Sequence, residues 1–462
     1  MTQLFTRKPA LNQKDFIGRV SDLRWIANRL NSDSPQSINI VGEPRIGKTS
    51  LLYQAYIAQK SSEARFQITS VWMAASEFAH PDSNLFWRTL LRGLLEAANL
   101  HQTNLRPDMD SPALFNTLVA QIEKIIDRDR NRRIYFFIDD FDLLAPPVLN
   151  TDDLNWLRAL TQRDRLISHV AFVIASTDSL QKLTSAAQNI SPFHNIFVQR
   201  SLGLMDFIEA EELLRAAWKA TNQTGVLDRA DIAFLIDEAG RHPDLLRIIA
   251  EYYFAYTEND EQCFDLVRAD FRYDDHVRWL FRTLFSRRSK EEQAALLAVA
   301  QRHPVDDTVL LNHLAYRVGL LEKTVAGEFR PFSAAFRDWL QRQQMKTSTS
   351  LSSPLLPHDE KNIPTLFYDE RLRQVHFGGK STPIQLTRVE NRLMAYLIEN
   401  VGIVRSQEEI LANVWGPGRN KAVVEKTVNR LRSKIEQDPS RPQYLRSVWG
   451  QGYILENASR LP

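Results

Sequence analysis

One cysteine in 462 residues, Cys263, leaves no internal disulfide and no multi-cysteine zinc site, and its solitude suits a reducing compartment. Long apolar runs are missing too. No window approaches the roughly 18 apolar residues of a membrane-crossing helix, and the first twenty residues lack the core of a secretory signal, so a cytosolic protein with no membrane partner is expected. Charge of one sign is scarce. With 58 Lys plus Arg against 56 Asp plus Glu, any affinity for nucleic acid must come from a local patch and not from a global field. No repeat of about 20 to 50 residues recurs, which argues against solenoids and propellers. What is there is a globular composition, 44% hydrophobic and 25% charged, in a chain longer than the roughly 250 to 300 residues at which single cores stop growing. More than one domain follows.

The clearest break is Lys346 to Pro357 (KTSTSLSSPLLP), where Ser, Thr and Pro replace any periodic apolar pattern, and it reads as an interdomain linker. Before it, strand-like runs alternate with amphipathic helical stretches from about residue 36 to 200, the pattern of a parallel sheet wrapped by helices. Residues 206–272 read as helices. Residues 276–345 read as helices ending in a strand pair, Leu320 to Lys323 and Glu328 to Pro331 around Ala326-Gly327, which makes a small winged-helix unit. After the linker, Leu366 to Leu386 reads as short strands and Thr387 to Ile435 as three helices followed by a terminal strand pair.

The strand Ser37 to Val41 runs into Gly42-Glu43-Pro44-Arg45-Ile46-Gly47-Lys48-Thr49 and then into the helical run beginning at Ser50, which is G-x-x-x-x-G-K-[ST] in the strand, loop, helix context it requires. The glycines let backbone N–H groups turn inward around phosphates, the helix N-terminus adds its positive end, Lys48 reaches the outer phosphates and Thr49 is a Mg²⁺ ligand. A second acidic element is needed. Arg133-Ile134-Tyr135-Phe136-Phe137-Ile138-Asp139-Asp140 supplies a buried strand ending in two acids: Asp139 on the magnesium side, and Asp140 to orient or deprotonate the attacking water. Asp142 reads as a solvated loop acid. The strand Val170 to Ala175 ends in Ser176-Thr177, which either sense the terminal phosphate or cap the strand.

With these elements, residues 14–345 resemble the signal-transduction ATPases with numerous domains (STAND), within the AAA+ branch of P-loop NTPases. Phe16-Ile17-Gly18-Arg19 is similar to that family's hhGR segment, and Gly240-Arg241-His242-Pro243 followed by Leu245-Leu246 to the G-x-P segment of its helical lid. The resemblance implies that Ile17, Gly18, Arg19, Arg45, Ile46, Ser50, His242 and Pro243 surround ATP or ADP. It also implies that lid and winged helix close over ATP and reopen on hydrolysis or exchange, a slow ATPase acting as a switch. Many relatives carry an arginine soon after the fourth strand, where this chain has Ser176-Thr177-Asp178-Ser179, and no arginine finger stands out among Arg132, Arg133, Arg163 and Arg165.

From Thr365 to the end, 15 Lys plus Arg face 10 Asp plus Glu, a net of +5, while residues 1–364 carry 43 against 46, a net of −3. Thr387 with Glu390 and Ser406 with Glu409 form two capping boxes. A third helix, about Ala422 to Ile435, puts Val424, Val428, Leu431 and Ile435 on one face. Lys426, Asn429 and Ser433 then point the other way, with Arg430, Arg432 and Lys434 on the shoulders. Such a helix offers a polar face for base edges and cations for phosphates. The stretch Leu386 to Leu455 resembles the OmpR-type winged-helix DNA-binding domain of response regulators. Position by position, the resemblance implies base reading by Lys426, Thr427 and Arg430, and phosphate contacts by Arg432, Lys434 and Arg446. Relatives commonly carry arginine in the wing where this chain has Trp449, so Trp449 either packs on a sugar or a partner subunit or fills the hairpin core.

The expected fold class is therefore multidomain α/β plus α+β: a P-loop NTPase core (1–202), a helical lid (203–275), a winged helix (276–345), a linker (346–364) and a C-terminal winged helix-turn-helix (365–462). The expected function is an ATP-gated switch that binds duplex DNA as a homo-oligomer or dimer and regulates transcription, with a protein partner as one source of signal. Two alternatives remain open: an AAA+ ATPase of replication, transposition or defence that anchors on DNA through its winged helix, and a signalling scaffold whose winged helices bind protein. Arg287, Arg288 and Lys290 read as a solvated basic turn, with added DNA contacts as the alternative.

Overall fold

A computed structural model describes residues 9–61, 65–100, 105–146, 148–184, 193–221, 226–257, 264–350, 366–369, 372, 374–377, 383–415, 422–439, 442–448 and 452–460. Cys263, Thr365, Trp449 and the linker beyond Ser350 lie outside them. The chain forms two compact units, one of residues 1–259 with 282–341 and one of residues 260–281 with 342–462.

The first unit opens with α1 (Val20–Leu30), β1 (Ser37–Gly42), α2 (Lys48–Ser61), β2 (Gln67–Ala74), α3 (Ser83–Ala97), α4 (Ser111–Arg128) and β3 (Arg132–Asp139). It continues through α5 (Thr151–Gln162), β4 (Val170–Ser176), α6 (Leu180–Leu183) and β5 (Phe197–Leu202). All five strands are parallel, in the order β2-β3-β4-β1-β5. Strand residues alternate between two cores, as a sheet covered on both faces requires. Ile134, Phe136, Ile138, Val170, Phe172 and Ile174 face the side that includes Leu90, Leu118 and Leu157, while Ile38, Ile40, Tyr135, Phe137 and Val173 face the side that includes Ile26 and Leu51. This is the P-loop NTPase-like sheet that the alternation of strands and helices anticipates.

Four helices follow, α7 (Phe207–Ala220), α8 (Arg229–Ala239), α9 (Pro243–Thr257) and α10 (Phe264–Tyr273), then α11 (Asp275–Ser286), α12 (Lys290–Ala300) and α13 (Thr308–His313). Asp206 and Asp228 start α7 and α8 with capping boxes through Glu209 and Asp231. The expected strand pair is present as β6 (Leu321–Lys323) and β7 (Phe329–Pro331), antiparallel. Then α14 (Ala334–Ser350) runs on through the first residues of the Ser/Thr-rich segment.

The C-terminal module holds β8 (Leu366–Asp369), β9 (Gln374–Phe377), β10 (Ile384–Gln385), α15 (Arg388–Ile398), α16 (Gln407–Val414), α17 (Ala422–Ile435), β11 (Leu445–Val448), β12 (Gly452–Leu455) and β13 (Ala458–Arg460). Both expected capping boxes form, at Thr387 and at Ser406. Val424, Val428, Leu431 and Ile435 join one core with Leu393, Ile410 and Tyr453. The module is an OmpR/PhoB-like winged helix-turn-helix. Its last strand, β13, returns to pair parallel with β8, a long-range closure that a three-residue run does not announce.

Candidate functional site

The loop after β1 and the N-terminus of α2 form one side of a cavity of ≈ 380 Å³, within the range of small-molecule sites, about 300 to 1,000 Å³. Arg45, Ile46, Gly47, Lys48, Thr49 and Ser50 line it, together with Ile17, Arg19, Asp140 and Pro243. Six non-glycine residues have positive φ among those described, and three of them, Arg19 (58°), Arg45 (63°) and Asp140 (52°), stand on this cavity. Such conformations are held in place only where the surroundings over-determine them, as functional sites do. Gly47 has φ +101° and an added Cβ would meet nothing within 4 Å, so it serves the backbone turn and not close packing. Lys48 Nζ donates to the carbonyls of Gly42 (2.9 Å) and Glu43 (3.1 Å), and burial lowers its pKa.

Arg19 joins three segments beside the cavity. Its guanidinium donates to the carbonyls of Gly203 (2.5 Å) and Ile46 (3.5 Å), and its backbone N–H donates to Glu209 Oε1 (2.5 Å), the capping-box acid of α7. Arg19 thereby ties the phosphate loop, the exit of β5 and the start of α7 together. Burial is the main cause of the lowered Arg19 pKa, opposed by the Asp22 carboxylate and then Glu209.

Asp139 is buried at the end of β3, accepts hydrogen bonds from Thr49 and from the Asp140 backbone, and keeps Oδ1 buried with no hydrogen-bond partner among the described residues. Burial first and the Asp140 carboxylate second push its carboxyl up to about 6, against the pull of Thr49, the Asp140 backbone and Lys48. An orphaned buried carboxylate oxygen beside a threonine hydroxyl and a lysine is what a hard cation with phosphate oxygens would satisfy. The residues present therefore fit a Mg²⁺-nucleotide, with Thr49 and Asp139 as protein ligands.

Several expected contacts lie elsewhere. Ser176 is fully buried, its hydroxyl 3.0 Å from Asn39 Oδ1 and 2.7 Å from the Asp178 carbonyl, so strand capping is its structural role, and the neighbouring Thr177 lines the cavity. His242 is buried with its ring toward Phe332 (6.4 Å between centroids), and Pro243 faces the cavity in its place. Gly18 and Gly42 act through the backbone and do not line the cavity. Asp142 is no solvated acid: it accepts the N–H groups of Thr177 (2.7 Å) and Asp178 (3.2 Å), bracing the exit of β3 against that of β4. Nor is the Arg287-Arg288 turn solvated. Arg288 pairs with Glu43 of the phosphate loop (2.8 Å) and Arg287 with Asp178 just beyond β4 (3.0 Å), so this turn joins the two loops. Arg132, Arg133, Arg163 and Arg165 do not line the cavity.

Sequence reasoning missed Arg247, four residues beyond Pro243 on α9 and so on the same helix face, which lines the cavity with its pKa lowered by burial. It also missed residues 9–12, whose Ala10 backbone is held by Ser50 Oγ (2.9 Å) and Gln54 Nε2 (3.2 Å). Spacing from Pro243 was a usable signal for Arg247, but no motif marks the N-terminal segment.

In the C-terminal module α17 sits as expected, and its cations divide. Arg432 is buried: Nε donates to the Leu445 carbonyl (2.8 Å), Nη2 to Ser447 Oγ (2.8 Å), and the guanidinium lies over the Tyr453 ring (5.7 Å). Its expected phosphate contact is corrected to a structural one, because the side chain turns inward onto β11. Thr427 is likewise buried, with its hydroxyl donated to the Val423 carbonyl (2.9 Å). Lys434 pairs with the capping-box Glu390 (2.7 Å). Lys426, Asn429 and Arg430 are half-buried, Ser433 is exposed, and Arg446 is exposed beside Glu456 (2.8 Å). The wing tip with Trp449 lies outside the described residues.

Comparison with known proteins follows the same division. Residues 15–174 match the AAA ATPase domain, and residues 381–455 match the family described as transcriptional regulatory protein, C terminal. Among curated relatives, "Probable transcriptional regulator ycf27" of Cyanophora paradoxa is 35% identical over 139 residues, 28% of this chain and 56% of that protein. The KDP operon transcriptional regulatory protein KdpE of Escherichia coli is 32% identical over 109 residues, 23% of this chain and 45% of that protein. The chain thus spans about half the length of the curated relatives it matches. Among solved structures, the Walker-type ATPase of Pyrococcus abyssi superposes with a TM-score of 0.50 at 13% identity, covering 73% of this chain and 99% of that one, a likeness of fold. Among the described residues no helix is long and apolar enough to cross a membrane.

Proposed function

We propose that this protein is a nucleotide-gated switch that binds duplex DNA and regulates transcription. One observation carries the reading: a single chain joins a phosphate loop whose cavity is closed by residues of the lid to a winged helix-turn-helix that matches transcriptional regulators. Lys48 binds the outer phosphates, Thr49 and Asp139 hold the metal, Ile17 and Pro243 flank the base, and Arg247 adds a positive charge from the lid. Bound Mg²⁺ supplies charge neutralisation on the phosphoryl oxygens. Asp140 stands on the cavity where it can orient a water, so slow turnover resets the switch. The STAND-type closing of lid and winged helix fits the Arg288–Glu43 and Arg287–Asp178 pairs, which join that winged helix to the phosphate loop and to the end of β4.

At the other end, Lys426, Asn429 and Arg430 read bases and Arg446 holds phosphate, and two copies engage tandem half-sites. Selection of bound sequences from a random duplex library by the full-length protein, with Mg·ATP, with Mg·ADP and without nucleotide, tests both ends. A repeated motif enriched in one nucleotide state is the expected result. Equal, sequence-indifferent recovery in all three would defeat the reading and favour an ATPase that only anchors on DNA.

A further inference from the structure

The second unit contains more than the DNA-reading module, because α10 and the first residues of α11 belong to it. Asp270 of α10 is 4% exposed and its Oδ2 lies 3.5 Å from Arg430 Nε, while Asp275, the first residue of α11, lies 3.9 Å from Arg432 Nη1. The Lys426 ammonium is the cation that opposes the upward shift of the Asp270 carboxyl; that shift, to about 7, comes first from burial and then from Asp274 and Glu390. Of the two charged side chains assigned to base reading on this helix, Arg430 thus pairs with one buried acid, and the Lys426 ammonium acts on the same carboxyl. Val267 and Phe271 of the same helix are buried as well, which anchors α10 where it lies.

From this packing we propose that α10 is an intramolecular cap on the DNA-reading face of α17, a helix that sets the buried Asp270 in the place that duplex DNA must take. The inference rests on the DNA-binding reading and names how that site is regulated. Size decides the competition: a helix with its side chains is about 10 to 12 Å across and the major groove about 12 Å wide, so α17 cannot enter the groove with α10 beside it. A buried ion pair adds little net stability once its desolvation is counted, which suits a contact that must open. A covalent route for the signal exists. Asp274 caps α11 by accepting the N–H groups of His276 (2.9 Å) and Val277 (3.0 Å), and α11 ends one residue before Arg287 and Arg288, whose partners Glu43 and Asp178 flank the phosphate site.

The test uses the full-length chain and a fluorescent mixed-sequence duplex at low salt, read by anisotropy with Mg·ATP, with Mg·ADP and without nucleotide. Asp270→Lys with Asp275→Lys places cations against Lys426, Arg430 and Arg432. Asp152→Lys with Asp306→Lys makes the same charge change at exposed positions outside both sites. The capless variant is expected to bind about tenfold tighter than this control, a gain of about 1.4 kcal/mol, and to lose its dependence on nucleotide. Equal affinity of variant and control, with duplex bound by both, overturns the cap and leaves DNA binding standing. No binding by any form in any state overturns DNA binding and the cap with it. Hydrogen exchange over residues 422–435 in the full chain keeps the test independent of DNA: faster exchange in the Asp270→Lys, Asp275→Lys variant than in the control supports the cap, and equal exchange overturns it.

Discussion

The phosphate loop and α17 both carry basic side chains at a fixed spacing, yet the fold treats them differently. Around the loop, Arg45, Lys48, Thr49 and Ser50 all reach the one cavity, and Lys48 is held by carbonyls of its own loop. On α17, Arg432 turns inward onto β11 and Lys434 onto Glu390, while Arg430 pairs with Asp270 and the Lys426 ammonium acts on the same carboxyl. The difference is one of what spacing determines. Glycines and a helix start dictate a backbone path, which aims the side chains from Arg45 to Ser50 at one cavity. Helical spacing dictates only a face, and each cation on it then chooses between solvent, a neighbour's carboxylate and an open carbonyl.

The strongest way to break this contrast is Lys48→Ala. Removing one partner from a buried charged site costs several kcal/mol, so nucleotide affinity by calorimetry should fall by about 100-fold or more with the sheet still folded. A fall of only severalfold would mean that the loop is no more committed than the helix. Next is Arg432→Ala, which leaves the Leu445 carbonyl and Ser447 without their donor and should destabilise the C-terminal module by about 2 to 3 kcal/mol in urea unfolding. If it weakens DNA binding and leaves stability untouched, Arg432 belongs to the interface after all.

Asp139 sharpens the comparison from the other side, because a buried acid kept for a cation should carry strain. Its folded pKa of about 6 lies above the ordinary 3.8, so between those values the folded state holds more protons than the unfolded, and stability falls as pH rises. Asp139→Asn should thus match the parent protein below pH about 4 and exceed it by about 3 kcal/mol above pH about 6, while losing Mg²⁺-dependent nucleotide binding. Equal melting of the two proteins across that range would remove the strain.

The same contrast explains what was legible in the residues. The sheet, the P-loop, the β6–β7 pair and the two capping boxes in the C-terminal module are local patterns, and each formed where periodicity put it. What stayed hidden is long-range: Glu43 meets Arg288 across 245 positions, Asp142 meets the Thr177 backbone across 35, and β13 closes on β8. The Arg287-Arg288 turn looked solvated because its carboxylate partners sit in another domain of the sequence. Ser176 and Thr177 leave two readings open for a related reason: at a strand end, adjacent residues point to opposite faces, and the neighbouring Asn39 decides which one is buried.

The smallest effect separates the two kinds of cation on the reader itself. Arg446 is exposed and paired, among the described residues, with the half-buried Glu456, an ion pair of the sort that contributes about 0 to 1 kcal/mol, so Arg446→Ala should leave the unfolding midpoint nearly unchanged. Its loss should instead lower the slope of log affinity against log salt by about 1, because one phosphate contact disappears. Measured beside Arg432→Ala, it turns the division of the basic residues into a double dissociation: one arginine moves stability and spares the salt slope, the other moves the slope and spares stability. An unchanged slope for Arg446→Ala would place the phosphate contacts on other cations of the module, with α17 itself the first place to look once α10 has left it.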